Sequence, residues 1–293
     1  MHNLSIDGDN FTIPQTWNEL TPDQFLRVAS LGVQSLPKAD FLLKALLKLL
    51  DLKVMTRKAV MIDELPHYYL RHGKSRVYLL GVDQLQELAA TISFLLSEKV
   101  EKGKKFYFIN PRYSRNPLPM VKGLAGPADG LINCVFEEFI RAQTCLEKFS
   151  KTGKMVHLDR LIAALYRPVD PGQDTGSASF SGDVREAFND HTVDTRLKLV
   201  SKISPALKNA ILMFYQGCFY MIDKKFPHVF SGDGSGAAPT DPYMGFMKLA
   251  NALAQNDVTK AELVRRSSLY DVLVTLEELA IQKEKIDSLS KKR

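Results

Sequence analysis

The sequence predicts a mainly α fold with a helical bundle-like architecture, a short N-terminal β-hairpin and a small strand element near 104–110. Three observations predict it. Helix starts with capping signals recur along the chain, apolar residues repeat at threes and fours between them, and few stretches alternate with the period of a strand. At 293 residues, 45% hydrophobic and 25% charged, the chain has ample material for one large core or two modest ones.

Residues 3–13, "NLSIDGDNFTI", alternate on either side of Asp7-Gly8, a favoured hairpin pair. In "TWNELTPDQFLRV" Thr21 is the cap, Pro22 fits the first helical position and Gln24 completes a capping box. A second helix follows Pro37 with a leucine stripe from Leu42 to Leu50, and Lys44 and Lys48 on its wet edge. A third is expected from Arg57 to Leu65, stopped by Pro66. A fourth is expected from Asp83, with Gln86 three residues on. "KKFYFIN" reads as a strand, and the proline- and glycine-rich stretch 111–130 as a long connection. The expected division therefore falls at 1–122 and 123–293, or the chain is one continuous domain.

Beyond it, "LINCVFEEFIRAQTCLEKF" and "MVHLDRLIAALYRP" are helical, the second halted near Pro168. Residues 170–182 and 230–242 are Gly-rich loops. Asp183 with Glu186 reads as a capping box before a helix near 193–203. Ser204-Pro205 opens a strongly apolar helix, and Thr259 with Glu262 caps the last stretch, which runs to a fraying basic tail. The C-terminal leucines, from Leu263 to Leu279 and Ile286, could pack on a partner helix or close their own domain.

The net charge is +6, and residues 99–122 alone carry that excess: Lys99, Lys102, Lys104, Lys105, Arg112, Arg115 and Lys122 against Glu101. Interleaved with Phe106, Tyr107, Phe108 and Tyr113, they supply parts for phosphate contact and base stacking. Lys102, Lys104, Lys105, Tyr107, Arg112, Tyr113 and Arg115 are the candidate contacts to nucleic acid or a partner. The competing reading is an ordinary strand with core aromatics and edge-guarding lysines. Cys134, Cys145 and Cys218 form no CxxC pair and read as reduced, buried thiols, so a cytoplasmic chain is expected. The N-terminus has no secretory pattern, and the apolar stretch 206–222 contains Lys208, Asn209 and Gln216, so no membrane role is expected.

No motif carries chemistry. "SGDGSG" lacks the lysine and helix start of a phosphate loop, and Asp7 with Asp9 lacks the later ligands of a calcium loop. Asp190, His191 and Asp194 lie where caps and turns are expected. His67 and His72 miss the i, i+4 spacing of paired helical ligands. The expectation is no enzyme, no cofactor and no metal.

The segments "WNELTPDQF", "GPADGL", "FEEFIRA", "LIAALYRP", "REAFND", "FYQGCFYMI", "FPHVF" and "LYDVLVTLEELA" follow one another over most of the chain. Their order resembles proteins of the tail-gene regions of Bacteroidetes phages and prophages. The resemblance implies a non-enzymatic tail assembly factor, chaperone-like, or a tail structural subunit, with other phage or tail proteins as partners and homo-oligomers open. It carries over no catalytic residue. The alternative function is a nucleic-acid-binding module built on 99–122.

Overall fold

The computed structural model describes all residues except 35, 56–58, 175, 178–179, 181, 231–241 and 291–293. The loop expected at 230–242 and the basic tail fall almost wholly outside the described residues, as does part of the 170–182 loop. The fold is helix-rich and mixed α/β: about 53% helical, with several small antiparallel sheets. The chain divides into two compact units, residues 1–113 with 205–217, and residues 114–204 with 218–293.

In the first unit β1 (His2–Ile6) and β2 (Asp9–Ile13) form the N-terminal hairpin. Asp7 and Gly8 turn it with φ of 50° and 83°, the left-handed region a two-residue hairpin loop demands. Helix α1 (Pro22–Ala29) opens on the expected box: Thr21 Oγ1 accepts from the Gln24 amide at 3.2 Å and Gln24 Oε1 from the Thr21 amide at 3.0 Å. Phe25 faces the core and stacks on Tyr113, ring centroids 4.3 Å apart. Helix α2 spans Lys38–Leu49.

The next stretch corrects the sequence reading. In place of the helix expected at 57–65, whose residues 57 and 58 lie outside the described residues, there are strands β3 (Leu52–Val54), β4 (Val60–Ile62), β5 (Leu65–His72) and β6 (Arg76–Gly81). "VMIDEL" resembles a helical apolar run, but Asp63 and Glu64 adopt φ of 50° and 64° and turn the chain back between β4 and β5. Val60 and Ile62, stiff at χ1, suit a pleated surface better than a helix. Pro66 sits where β5 is not yet paired to β6, so its missing N–H costs no bond in that ladder. Helix α3 (Val82–Thr91) begins one residue before the expected Asp83, and Gln84 rather than Gln86 reaches back, to the Gly81 amide at 3.0 Å. β7 (Leu96–Glu101) and β8 (Lys104–Ile109) form a second hairpin.

In the second unit β9 (Met120–Val121), β10 (Leu124–Ala125) and β11 (Arg167–Pro168) make a small sheet. Helices α4 (Phe136–Thr152) and α5 (Met155–Leu165) pack together and bury Phe139, Ile140, Leu161 and Ile162, with Gly153 closing α4 in the left-handed conformation. The start expected at Leu131 is instead a 3₁₀ turn at Asp129–Leu131. The helix expected near 193–203 is two 3₁₀ turns, Asp190–Thr192 and Asp194–Arg196, followed by the four-residue α6 (Leu197–Val200). Helix α7 (Pro205–Lys225) supplies its first thirteen residues to the first unit and the rest to the second. α8 (Pro227–Phe230), α9 (Pro242–Leu253), α10 (Val258–Arg266) and α11 (Leu269–Ser290) complete the chain. Asp257, not Thr259, caps α10, accepting from the Thr259 and Lys260 amides.

Candidate interaction surfaces

The basic-aromatic segment is the β7–β8 hairpin. Its register sets Glu98 opposite Tyr107, Lys99 opposite Phe106 and Ser97 opposite Phe108. Because paired residues share a face, Phe106 and Phe108 lie on one side with Lys99 and Lys104, and Tyr107 lies on the other with Lys105 and Val100. Phe106, Tyr107 and Phe108 are all exposed, although a lone two-stranded ribbon usually buries one face against something.

The positive charge there is partly spent. Lys105 pairs with Glu98 at 3.0 Å and Lys99 with Glu101 at 2.5 Å. The hydrogen bond from Lys105 holds the Glu98 carboxyl below the usual range. Lys38 lies 4.3 Å from the Tyr107 ring centre. Lys102, in the turn, and Lys104 have no ion pair among the described residues. Arg112 is exposed in the same unit, and exposed Arg115 falls in the other. Tyr113 corrects the sequence reading: it is 0% exposed against Phe25, so it is a core residue and no contact for a ligand.

Sequence reasoning missed the sheet of β3–β6. β5 pairs along one edge with β6, and along the other with β3 and β4 in tandem. One face carries Leu52, Leu70, Tyr78 and Leu80, all buried, with Phe11 edge-on to Tyr78 and the Tyr78 hydroxyl donating to Asp9 at 2.6 Å. The opposite face carries Ile62 beside Leu65, Val60 beside His67, Tyr69 beside Leu79, and Val77 beside Arg71. Antiparallel sheets with a wet face usually make it polar. Here Val60, Ile62, Leu65, Tyr69 and Val77 are exposed, Leu65 at 45% and Val77 at 46%. Charges sit at the ends: Lys53 and Arg71 at one, the Asp63–Glu64 turn at the other. The signal was in "LPHYYL" and "RVYLL", where apolar residues occupy both phases of the alternation.

The second unit buries charge instead. Glu138 on α4, 0% exposed, binds Arg185 at 2.7 Å and Arg167 at 3.1 Å. Asp183 binds the same two arginines at 2.7 and 3.1 Å, so it is a partner in this cluster, not the helix cap expected from its spacing to Glu186. Arg185 also donates to the Leu165 carbonyl, and Arg167 to the Glu186 carbonyl. Burial pulls the Arg185 pKa down, but the Glu138 and Asp183 carboxylates outweigh it and hold the group above its ordinary value. Two guanidiniums and two carboxylates balance in formal charge.

A cleft of about 860 Å³ lies over this cluster, rimmed by Glu137, Asp190, His191, Arg265 and Arg266. Asp190 pairs with Arg141 and Asp194 with Arg160, while the Asn189 side chain caps the His191 amide at 3.0 Å. His67 lies on β5 with Nδ1 against the Leu65 carbonyl, and His72 at that strand's end packs edge-on to Phe11. The three cysteines are free thiols in the interior, and burial raises the pKa of each. Among the described residues no helix is long and apolar enough to cross a membrane. No protein-family model, curated protein or solved structure matches the chain.

Proposed function

We propose that this chain is a non-enzymatic interaction protein, an assembly factor or structural subunit of a phage tail. The observation that carries the interaction reading is the outward face of the β3–β6 sheet. Five exposed apolar side chains gathered on one face of an antiparallel sheet, where polar residues ordinarily meet water, support a surface that a partner covers. The tail context rests on the sequence resemblance. Pull-down of tagged chain from infected cells is expected to recover a tail protein, and to lose it when Tyr69→Asp and Val77→Asp are combined. Recovery of no virion protein, or turnover of nucleotide by the purified chain, would contradict the reading.

A second reading, nucleic-acid binding, is favoured by Lys102 and Lys104 beside Phe106 and Phe108. It calls for a gel shift that weakens steeply with salt and disappears when Lys102 and Lys104 become Ala. With two of the hairpin's lysines already paired to carboxylates, few counterions are left to release, so protein is the better-supported partner.

A further inference from the structure

The buried cluster of the second unit has a third arginine beside it that its carboxylates do not pair with. Arg196, 6% exposed, ends the 3₁₀ turn Asp194–Arg196 and makes no ion pair among the described residues. Its acceptors are neutral: Nε donates to the Ala163 carbonyl at 2.9 Å and Nη1 to the Thr192 hydroxyl at 2.8 Å. Nη2 is buried with no acceptor among the described residues, and so is Nε of Arg167, itself 2% exposed. Arginine does not shed its proton to relieve burial, so each group keeps its charge and an unmet N–H inside the unit.

The two groups feel each other. Burial lowers the Arg196 pKa most and the Arg167 charge next, ahead of the opposing pull of either Glu186 or Glu138. Arg167, Arg185 and Arg196 thus set three buried guanidiniums against Glu138 and Asp183. Like charges drawn together with N–H groups unanswered are relieved by an anion that accepts from both.

The cleft of about 860 Å³ gives the way in. It reaches Arg167 and is walled there by Phe188, whose ring centre lies 5.8 Å from the Arg167 guanidinium carbon. The rim carboxylates are engaged elsewhere. Asp190 meets Arg141 at 3.1 Å, Glu262 meets Arg266 at 2.8 Å and Glu137 stands 4.0 Å from Arg265. Asp170 accepts from the Gly172 amide at 2.9 Å.

We propose that Arg167 and Arg196 form a binding site for a small oxyanion, a carboxylate or a phosphate, entered from the cleft, with Arg167 Nε and Arg196 Nη2 as its donors. Charge-assisted N–H groups in a dry setting hold an oxyanion more strongly than exposed ones do. The site stands apart from the sheet face and does not depend on it.

Calorimetric titration of the full chain at about pH 7 and fixed ionic strength, with inorganic phosphate and separately with acetate, is expected to show saturable binding of at least one at millimolar concentration or below. The tighter of the two tells a tetrahedral site from a planar one. Arg196→Gln should weaken that binding about tenfold or more, and Arg196→Lys, which keeps the charge but not the fork, should fall between it and wild type. Lys202→Gln removes the same charge from the exposed surface and should leave affinity within about twofold of wild type. The bound anion should also raise the melting temperature of wild type more than that of Arg196→Gln, a difference that general salt stabilisation does not produce. Circular dichroism checks native helix content, and Arg196→Lys carries the comparison if Arg196→Gln does not fold.

No saturable binding of either anion up to about 50 mM overturns the proposal and leaves the two N–H groups to water. Binding that survives Arg196→Gln, or that Lys202→Gln weakens as much, belongs to general surface charge and overturns it as well.

Discussion

The outward sheet face of the first unit and the ionic cluster of the second are opposites. One leaves apolar side chains in water; the other buries two arginines and Glu138 away from it, with Asp183 at its edge. Both depart from the usual partition, but they answer to different demands. The cluster is satisfied within its own unit apart from Arg167 Nε: Glu138, Asp183, the Leu165, Glu186 and Asn133 carbonyls and Asn133 Oδ1 accept from Arg185 and Arg167. It ties α4, β11 and the 183–185 segment together. Among the described residues, the sheet face leaves Val60, Ile62, Leu65, Tyr69 and Val77 exposed. Polarity inside a unit, when complete, holds a fold; apolarity outside it, when contiguous, calls for a partner.

The largest expected effect breaks the cluster. Glu138→Ala leaves Arg167 and Arg185 buried with half their counter-charge, and should cost about 3–5 kcal/mol, read by urea unfolding followed by circular dichroism. Gly217→Ala comes next. A Cβ there would lie 2.2 Å from the Tyr113 carbonyl oxygen, a backbone atom that cannot swing aside, so a loss of about 1–3 kcal/mol is expected by the same measurement. Thr21→Ala removes the cap of α1 and should cost about 1 kcal/mol.

The smallest effect is a pH dependence in the second unit. The hydrogen bond that His228 Nδ1 donates to the Glu277 carboxylate, at 2.5 Å, raises the histidine pKa above its ordinary value. Partial burial works to raise the Glu277 pKa, but hydrogen bonds from the His228 ring and the 228 and 229 amides outweigh it and lower the carboxyl. The histidine's contribution is complete below its unfolded pKa and lost as pH rises through the folded one. The carboxylate's is present above its unfolded pKa and lost as pH falls through its lowered value. His228→Gln should therefore narrow the melting-temperature gap to wild type as pH moves from about 6 to about 8.5, with no gap change expected from a purely steric contact.

Local chemistry was legible in the sequence and long-range pairing was not. The box at Thr21 and Gln24, the Asp7-Gly8 turn, the strand at 104–109 and the helix opening at Pro205 each depend on residues within a few positions of one another. The β3–β6 sheet does not. Its outward face exists only once β4 and β6 flank β5, and its strands are apolar in both phases, which erases the alternation that identifies a one-sided strand. The cluster joins Glu138, Arg167, Asp183 and Arg185 across 47 positions, so Asp183 and Glu186 matched a local cap while Asp183 in fact pairs with Arg167 and Arg185, which Glu138 reaches from α4. Tyr113 was misread for the same reason: its neighbours in sequence are basic, but its neighbour in space is Phe25.

The contrast between the two regions is tested most directly by combining Tyr69→Asp with Val77→Asp and following urea unfolding through Trp17, the chain's single tryptophan, buried in the first unit. If the outward face serves association and not folding, the unfolding free energy of dilute protein should stay within about 0.5 kcal/mol of wild type per substitution, as for ordinary surface sites. A loss above about 3 kcal/mol would make that face part of the unit's own core and contradict the account.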